Sequence, residues 1–254
     1  MSVIERRKKI FELVKSSGYM PIEKLVGNFK ITPQTIRFDL NALAEEGRLV
    51  RHHGGASIPS SVINTDFNSR RADFARVKAN LGKAVADAVP DRSSVFISIG
   101  TTMISVAKAL CVRSGLKIIT NNLEAAQVLA KQPGFEVIVI GGRLESRNFG
   151  TSGAIALETV ANYRPDFCIF SIGGIDHGGH LLDYYENEAA IVRSMIKGSR
   201  KRLLVVDHSK FGRNAAVMVG DFGCIDQLFT DKAPPVQLRN ILKKKKIQLI
   251  KISN

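Results

Sequence analysis

The stretch "TPQTIRFDLNALAEEGRLVRHHGGA", residues 32–56, predicts a helix followed by a small hairpin. Thr32 can cap a helix through its side-chain oxygen, and Pro33 suits the first helical position, where no amide proton is needed. Gly47 fits a left-handed helix end, and the alternating residues after it turn on two glycines, which predicts a β-hairpin. At ~100° per residue, the predicted helix has one apolar face, formed by Ile36, Leu40, Leu43 and Ala44.

Two shorter helices are predicted before this one. Residues 4–16 place Ile10, Leu13 and Val14 on one side and the run "RRKK" on the other. A second helix follows Pro21, and a tight turn comes at residues 30–31. The order helix, helix, turn, helix, hairpin is that of a winged helix-turn-helix, although a helical hairpin packed inside a larger fold would give the same pattern.

The polar face of the third helix predicts DNA contacts. Amide, hydroxyl and guanidinium groups at its amino end match the donors and acceptors of base edges in a major groove. In the hairpin, Arg51 and His52 are positioned to reach phosphates, whereas His52 and His53 point to opposite faces of a strand and make a poor metal pair. The predicted DNA-binding residues are Thr32, Gln34, Thr35, Arg37, Phe38, Asn41, Arg51 and His52.

The charge of the chain also favours a polyanionic partner. The 254 residues carry a formal net charge of +14, which suggests nucleic acid or phosphorylated ligands. Three widely spaced cysteines predict neither a disulfide framework nor a zinc cluster and fit a reducing cytoplasm. No secretory signal and no apolar run of about 18 residues is present, so we expect no membrane association.

Beyond residue 58 the pattern changes twice. Residues 59–76 are rich in Ser, Asn and Arg without a sustained period, which predicts a linker between a head at 1–58 and a second domain at 77–254. The second domain alternates apolar strands with amphipathic helices, which indicates an α/β fold with a mostly parallel, doubly wound sheet. The predicted strands are "SVFISIG", "LKIITN", "FEVIVIGG", "DFCIFSIGG", "RLLVVD" and "IQLIKI".

Three of these strands end in glycine, hydroxyl or amide residues. Ligands of such sheets bind beyond the carboxyl ends of the strands, where glycines, helix-opening amides and hydroxyls can cradle a phosphate. Taken one at a time, the same residues are ordinary helix caps and strand exits. The residues predicted for this pocket are Gly100, Thr101, Thr102, Thr120, Asn121, Gly142 and Arg143.

Three further residues join the predicted pocket. Lys210 would neutralise a phosphate, while Asp176 and Glu188 would hold hydroxyl groups. Paired carboxylates beside a lysine would also suit an isomerase that moves a proton between adjacent carbons. His177 and His180 lie in a glycine-rich loop that no helix or strand fixes, which disfavours a metal site. We expect neither metal nor cofactor.

Several motifs resemble the DeoR family of bacterial transcription regulators. The helix and hairpin of residues 32–56 resemble its amino-terminal signature, and "SIGTT", "TNN", "IGGRL", "GGID" and "DHSKFGR" follow in that family's order. The resemblance covers almost the whole chain. It implies a winged helix-turn-helix, with its motif near residues 20–39, on a sugar-phosphate-isomerase-like domain that binds an effector and has no catalytic role.

The resemblance also implies partners. We expect a cytoplasmic repressor, a homo-oligomer as dimer or tetramer, that binds double-stranded operator DNA and a phosphorylated sugar or polyol, glycerol 3-phosphate being favoured. Two departures from the family pattern are Phe38, where the family has arginine, and Ser98, where it has aspartate. The alternatives are a sugar-phosphate isomerase with an accessory nucleic-acid-binding head, and a sugar-phosphate-binding protein whose head docks another protein.

Overall fold

The computed structural model describes residues 1–52, 54–60, 62 and 64–252, and it begins with a head of three helices and a three-stranded sheet. The helices are α1 (Val3–Ser17), α2 (Ile22–Phe29) and α3 (Pro33–Glu45). The strands pair in the order β1-β3-β2 and are β1 (Tyr19–Pro21), β2 (Val50–His52) and β3 (Gly55–Ser57). The predicted winged helix-turn-helix is confirmed, and β1 is an addition that the sequence pattern did not predict.

The head is held together by the apolar faces of its helices. Each fully buried aliphatic side chain contributes about 1.5–3 kcal/mol relative to its exposed state. Lys30, at a φ of 52°, makes the left-handed turn between α2 and α3, and Gly47, at a φ of 71°, follows α3 as predicted. The buried side chains of this cluster include Ile10, Val14, Leu25, Ile36, Leu40 and Leu43.

The wing packs tightly on β1. Antiparallel pairing sets Met20 opposite Ala56 and Arg51 opposite Ala56 on the other side. A Cβ on Gly55 would lie 2.4 Å from the carbonyl oxygen of Met20, so this position excludes every other residue unless the strands separate. His53 lies outside the described residues. That it makes a poor metal pair with His52 therefore stays a prediction.

The segment 59–76, predicted as an irregular linker, contains a short helix, α4 (Phe67–Ala72). The Asp66 side chain caps it by accepting a hydrogen bond from the Ser69 amide at 3.0 Å. The Phe67 side chain is buried against the ring of Phe149, with centroids 6.0 Å apart. The helix is too short to show a recurring apolar face in the sequence. Its stability comes from this tertiary contact. The domain boundaries at 58 and 76 stay a prediction.

The second domain is built on one seven-stranded parallel sheet. The six predicted strands are present, and a seventh, β14, was not predicted. The order is β15-β14-β12-β9-β4-β5-β6, and every pair is parallel. The strands are β4 (Ser94–Ile97), β5 (Lys117–Thr120), β6 (Glu136–Val139), β9 (Phe167–Phe170), β12 (Lys201–Val205), β14 (Gln227–Thr230) and β15 (Gln248–Lys251).

Helices cover both faces of this sheet. Val95 and Ile97 of β4 pack into one buried cluster and Phe96 between them packs into another, as expected for a doubly wound sheet. None of the helices in the described part of the chain is long and apolar enough to cross a membrane. The helices of this domain are α5 (Ala75–Ala88), α6 (Thr101–Leu110), α7 (Leu123–Leu129), α8 (Ala154–Ala161), α9 (Glu186–Gly198) and α10 (Val236–Lys244).

Two small antiparallel sheets, neither of them predicted, sit beside the main one. The first is the hairpin of β7 (Arg143–Glu145) and β8 (Gly150–Ser152). The second joins three strands, β10 (Gly174–Ile175), β11 (His180–Asp183) and β13 (Val217–Asp221).

Candidate functional sites

One face of α3 forms an exposed polar surface on the head. Gln34, Thr35, Arg37, Phe38 and Asn41 line a shallow groove there. The Phe38 side chain is 66% exposed, and the Cζ atom of Arg7 lies 5.6 Å from its ring centroid. An exposed ring among amide and guanidinium groups can contact a thymine methyl group, and its neighbours can hydrogen-bond base edges. This face therefore has the chemistry of a recognition helix.

Thr32, in contrast, is used by the helix itself. Its Oγ1 accepts a hydrogen bond from the Thr35 amide at 3.2 Å and lies 2.9 Å from the Thr35 hydroxyl. It closes the amino end of α3, as its position before Pro33 predicts.

Part of the basic run at residues 6–9 turns inward. Asp39 of α3 is fully buried, and its carboxylate accepts hydrogen bonds from Arg6 Nε at 2.5 Å, Arg6 Nη2 at 3.2 Å and Arg7 Nε at 3.1 Å. Two of the four cations of this run therefore neutralise an internal carboxylate and fix α1 against α3, so they are not free to contact DNA phosphates.

The two predicted wing contacts are also engaged within the head. Arg51 donates from Nη1 to the Oδ1 of Asn41 at 2.5 Å. His52 Nε2 lies 2.8 Å from the Ser57 hydroxyl, and burial lowers the pKa of His52. Arg51 is thus aligned with the recognition helix, whereas His52 is directed into the hairpin.

A cavity of about 530 Å³ lies at the carboxyl ends of β4, β9 and β12. The strand order reverses between β4 and β9, because the chain runs outward through β5 and β6 on one side and through β12, β14 and β15 on the other. Ligands of open parallel sheets bind at such a reversal. Leu49 and Arg51 of the head line the same cavity, so it lies between the head and the second domain.

Five of the predicted pocket residues line this cavity: Gly100, Thr101, Thr102, Glu188 and Lys210. Gly100 has a φ of 116°, a conformation that favours glycine, and α6 begins directly after it. The first amides of a helix have no intrahelical acceptor, so those of α6 are available to an anion.

Thr120 and Asn121 lie apart from the cavity. Thr120 is fully buried, and its hydroxyl donates to the carbonyl oxygen of Ile97 at 2.7 Å. Asn121 donates from Nδ2 to the carbonyl oxygen of Thr151 at 2.9 Å. Both residues lie outside the cavity because β5 is one strand away from the reversal. Their side chains hold neighbouring segments of the chain together.

Gly142, Arg143 and Asp176 also lie apart from it. Gly142 and Arg143 lead from β6, the edge strand, into a hairpin, and a Cβ on Gly142 would lie 2.5 Å from the carbonyl oxygen of Ser152. Asp176 is in the turn between β10 and β11, where its Oδ2 lies 2.9 Å from His180 Nδ1. The hairpin geometry, which the strand pattern did not reveal, moves these residues away.

The cavity also contains charged residues that were not predicted from the sequence to line it. Lys78 of α5 is 5% exposed and donates from Nζ to the carbonyl oxygens of Asp73, at 2.7 Å, and of Arg70. Arg213 donates from Nε to the Tyr184 hydroxyl at 2.7 Å. The only sequence signal for Arg70 is the pair of arginines in a polar segment. The cavity-lining Asp, Glu, Lys and Arg residues missed as site residues are Glu45, Arg70, Asp73, Lys78, Asp183, Asp207 and Arg213.

The cations around Lys210 favour an anion in this part of the cavity. Burial, followed by the charge of Arg213, lowers the pKa of Lys210 to about 7. Asp207 opposes this shift of the pKa, while Arg70 and Lys78 add further repulsion to the protonated lysine. Cations placed this close together are stabilised by a bound dianion, which removes their mutual repulsion.

Two carboxyl groups line the same cavity. Burial, followed by Glu188, raises the pKa of Asp183 to about 6. Burial also raises the pKa of Glu188, against hydrogen bonds to its Oε1 from Arg147 Nε at 2.8 Å and Asn148 Nδ2 at 2.9 Å. Oxygen atoms of this kind accept hydrogen bonds from hydroxyl groups. Within the described residues, no cluster of His, Cys, Asp and Glu side chains could hold a metal ion.

Comparison with known proteins gives matches for both parts of the chain. Residues 6–62 match the DeoR-like helix-turn-helix domain, and residues 74–232 match the DeoR C terminal sensor domain. The glycerol-3-phosphate regulon repressor of Escherichia coli (strain K12) is 45% identical over 98% of this chain and 99% of its own. The HTH-type transcriptional repressor CsqR of the same strain is 41% identical over 96% of this chain and 94% of its own.

Among solved structures, ribose 5 phosphate isomerase A from Neisseria gonorrhoeae is similar over 53% of this chain and 52% of its own. That match has 15% sequence identity and a TM-score of 0.39.

Proposed function

The chain belongs to the DeoR family of transcription regulators, and we propose that it is a repressor whose affinity for operator DNA is lowered by glycerol 3-phosphate. Proteins that are named repressors align with 98% and 96% of the chain, so the alternative of an isomerase with an accessory head is set aside. A protein that binds operator DNA acts in the cytoplasm of a bacterium.

The observation that carries the effector proposal is the group of cations beside the start of α6. A phosphate there would accept hydrogen bonds from the amides of Thr101 and Thr102 and from Lys210. Asp183 and Glu188 line the same cavity and would accept hydrogen bonds from the polyol hydroxyls. Ser98, in place of the family's aspartate, offers a polyol hydroxyl only a weaker, uncharged acceptor.

The DNA proposal rests on the exposed face of α3. A closed homo-oligomer would present paired heads to half-sites about one helical turn apart. The effector lowers operator affinity only as far as it prefers a conformation in which the heads are wrongly placed. The cavity between head and second domain offers a physical route for that preference, because Leu49 and Arg51 of the head share its wall.

A gel-shift titration tests the proposal. Operator DNA from upstream of the protein's own gene neighbourhood is titrated with the protein, with and without glycerol 3-phosphate, and with glycerol as the control lacking phosphate. We expect release by glycerol 3-phosphate below the millimolar range and none by glycerol. Turnover of a sugar phosphate without any DNA affinity would reverse the assignment.

Lys210→Ala tests the site within the same assay. Operator binding without effector should match the parent, because Lys210 does not line the exposed groove of α3. The effector concentration for half-release should rise by roughly 10- to 150-fold, since a hydrogen bond to a charged group contributes about 1.5–3 kcal/mol. Lys232→Ala, which removes an exposed lysine outside the cavity, is the matched control. Equal induction of parent and Lys210→Ala would remove Lys210 from the site.

A further inference from the structure

The connecting segment between head and second domain brings an arginine into the effector cavity. Arg70 lies on α4, one turn beyond Thr65, and its Nε donates to the carbonyl oxygen of Thr65 at 2.8 Å. Its side chain lines the cavity together with Thr101, Lys210 and Arg213. Within the described residues, the guanidinium group forms no ion pair with a carboxylate.

The position of this guanidinium is fixed from several sides. The Phe67 ring is buried beneath it, with the Arg70 Cζ atom 5.3 Å from the ring centroid. The Arg70 carbonyl oxygen accepts hydrogen bonds from Lys78 Nζ and from the Thr101 hydroxyl, the latter at 3.3 Å. Arg71, next to it, also lies over the Phe67 ring, with its Cζ atom 5.1 Å from the centroid, but it is exposed and pairs with Glu124 on the surface. The two adjacent arginines therefore share the ring and differ in their charged partners.

An enclosed, unpaired guanidinium group is costly unless an anion meets it. Within the described residues no carboxylate forms an ion pair with Arg70. Glu188 and Asp183 favour its charge at longer range, while Arg213 opposes it. A guanidinium fork fits the oxygens of a phosphate with two parallel hydrogen bonds, which an ammonium group cannot match. The Nε of Arg70 is already used by Thr65, and the Nη groups are left for a ligand.

We propose that Arg70 is a phosphate ligand of the effector, contributed by the connecting segment rather than by the sheet domain. This inference rests on the proposed function and deepens it. The effector site is then shared between the second domain and the segment that carries the head, so occupancy of the site acts on α4 directly.

Contacts between the cavity and residues 64–70 let this segment respond to ligand binding. Arg213 donates from Nη2 to the Thr65 hydroxyl at 3.0 Å and to Asn64 Oδ1 at 3.3 Å. Thr101 holds the Arg70 carbonyl oxygen. Two residues that border the phosphate position thus hold residues 64–70, and a bound phosphate would compete with the segment for both of them. Binding would be coupled to the position of the segment that leads to the wing.

Arg70→Gln tests the assignment, with Arg71→Gln as the matched control in the same helix. Calorimetry of the full-length protein measures the affinity for glycerol 3-phosphate and for inorganic phosphate, and operator release is followed by gel shift. For Arg70→Gln we expect at least a tenfold loss of affinity for both ligands. Arg71→Gln should stay within about twofold of the parent, because exposed ion pairs contribute little.

Other results overturn the inference. Parent-like affinity of Arg70→Gln for both ligands would show that Arg70 does not contact phosphate, with the proposed function intact. A loss confined to glycerol 3-phosphate would assign Arg70 to the hydroxyl end instead. A parent that binds operator yet takes up neither ligand would remove the proposed effector and this inference together. If Arg70→Gln fails to fold, Arg70→Lys keeps the charge without the fork, and parent-like affinity of that variant overturns the assignment.

Discussion

Replacing Asp39 with asparagine should strongly destabilise the head, because Asp39 lies inside the head rather than on its surface. The fully buried carboxylate accepts three hydrogen bonds from Arg6 and Arg7, and its removal leaves two guanidinium groups without their anion. Breaking a buried ion pair from one side costs about 3–5 kcal/mol. The two arginine side chains are 14% and 24% exposed, so water compensates part of this loss, and we expect about 3 kcal/mol.

Urea unfolding, read by amide hydrogen exchange in α1 and α3, measures this loss for the head separately from the second domain. Glu46→Gln is the control at the end of the same helix. Its carboxylate is 3.6 Å from Arg48 with both side chains exposed, so the change should be below about 0.5 kcal/mol. A loss below about 1 kcal/mol for Asp39→Asn would mean that the arginines find other partners. The reasoning that removes them from the DNA contacts would then be refuted.

Three other outcomes can be measured on the same preparations. Phe38→Arg should leave the melting temperature unchanged, because the ring is 66% exposed. It should also shift the sequences selected from a random pool, with a gain of about 1–3 kcal/mol for guanine at one position per half-site. Identical selected sites would show that residue 38 does not face the bases. Arg51→Gln should flatten the log-log salt dependence of operator binding by about 0.9, and an unchanged slope would confine Arg51 to its contact with Asn41. Effector affinity should fall about fivefold between pH 7 and 8, since the pKa of Lys210 is about 7 in the free protein and phosphate raises it, so that binding takes up a proton. Titration calorimetry at several pH values should find this dependence in the parent and not in Lys210→Ala.

The head could be predicted from its sequence because each of its elements is signalled locally. Ile36, Leu40 and Leu43 repeat with helical spacing, and Thr32 begins the helix that they belong to. The strand β1 gives no such signal. Its three residues are extended only because β3 pairs with them, and a pairing partner distant in sequence leaves no periodic pattern in so short a segment.

The site could be predicted only in part, because strand ends are visible in a sequence but strand order is not. Gly100 follows β4, which borders the reversal, and it lines the cavity. Gly142 follows β6 at the edge and does not. Arg70 could not be found at all, since its role depends on a helix of six residues docked by Phe67. Lys78 was hidden for a different reason, because a lysine in an amphipathic helix is expected at the surface.

The alternation of buried and exposed residues along α3 separates the residues that the fold requires from those that we propose to contact the operator. Ile36, Asp39 and Leu40 are buried, while Arg37, Phe38 and Asn41 beside them are exposed. Substitutions at the second set change no core contact, so they carry little cost in folding. We expect duplicated copies of such a regulator to acquire new operators by a few changes on this face. The same copies would keep their folding stability throughout, so a change of target need not pass through an unstable intermediate.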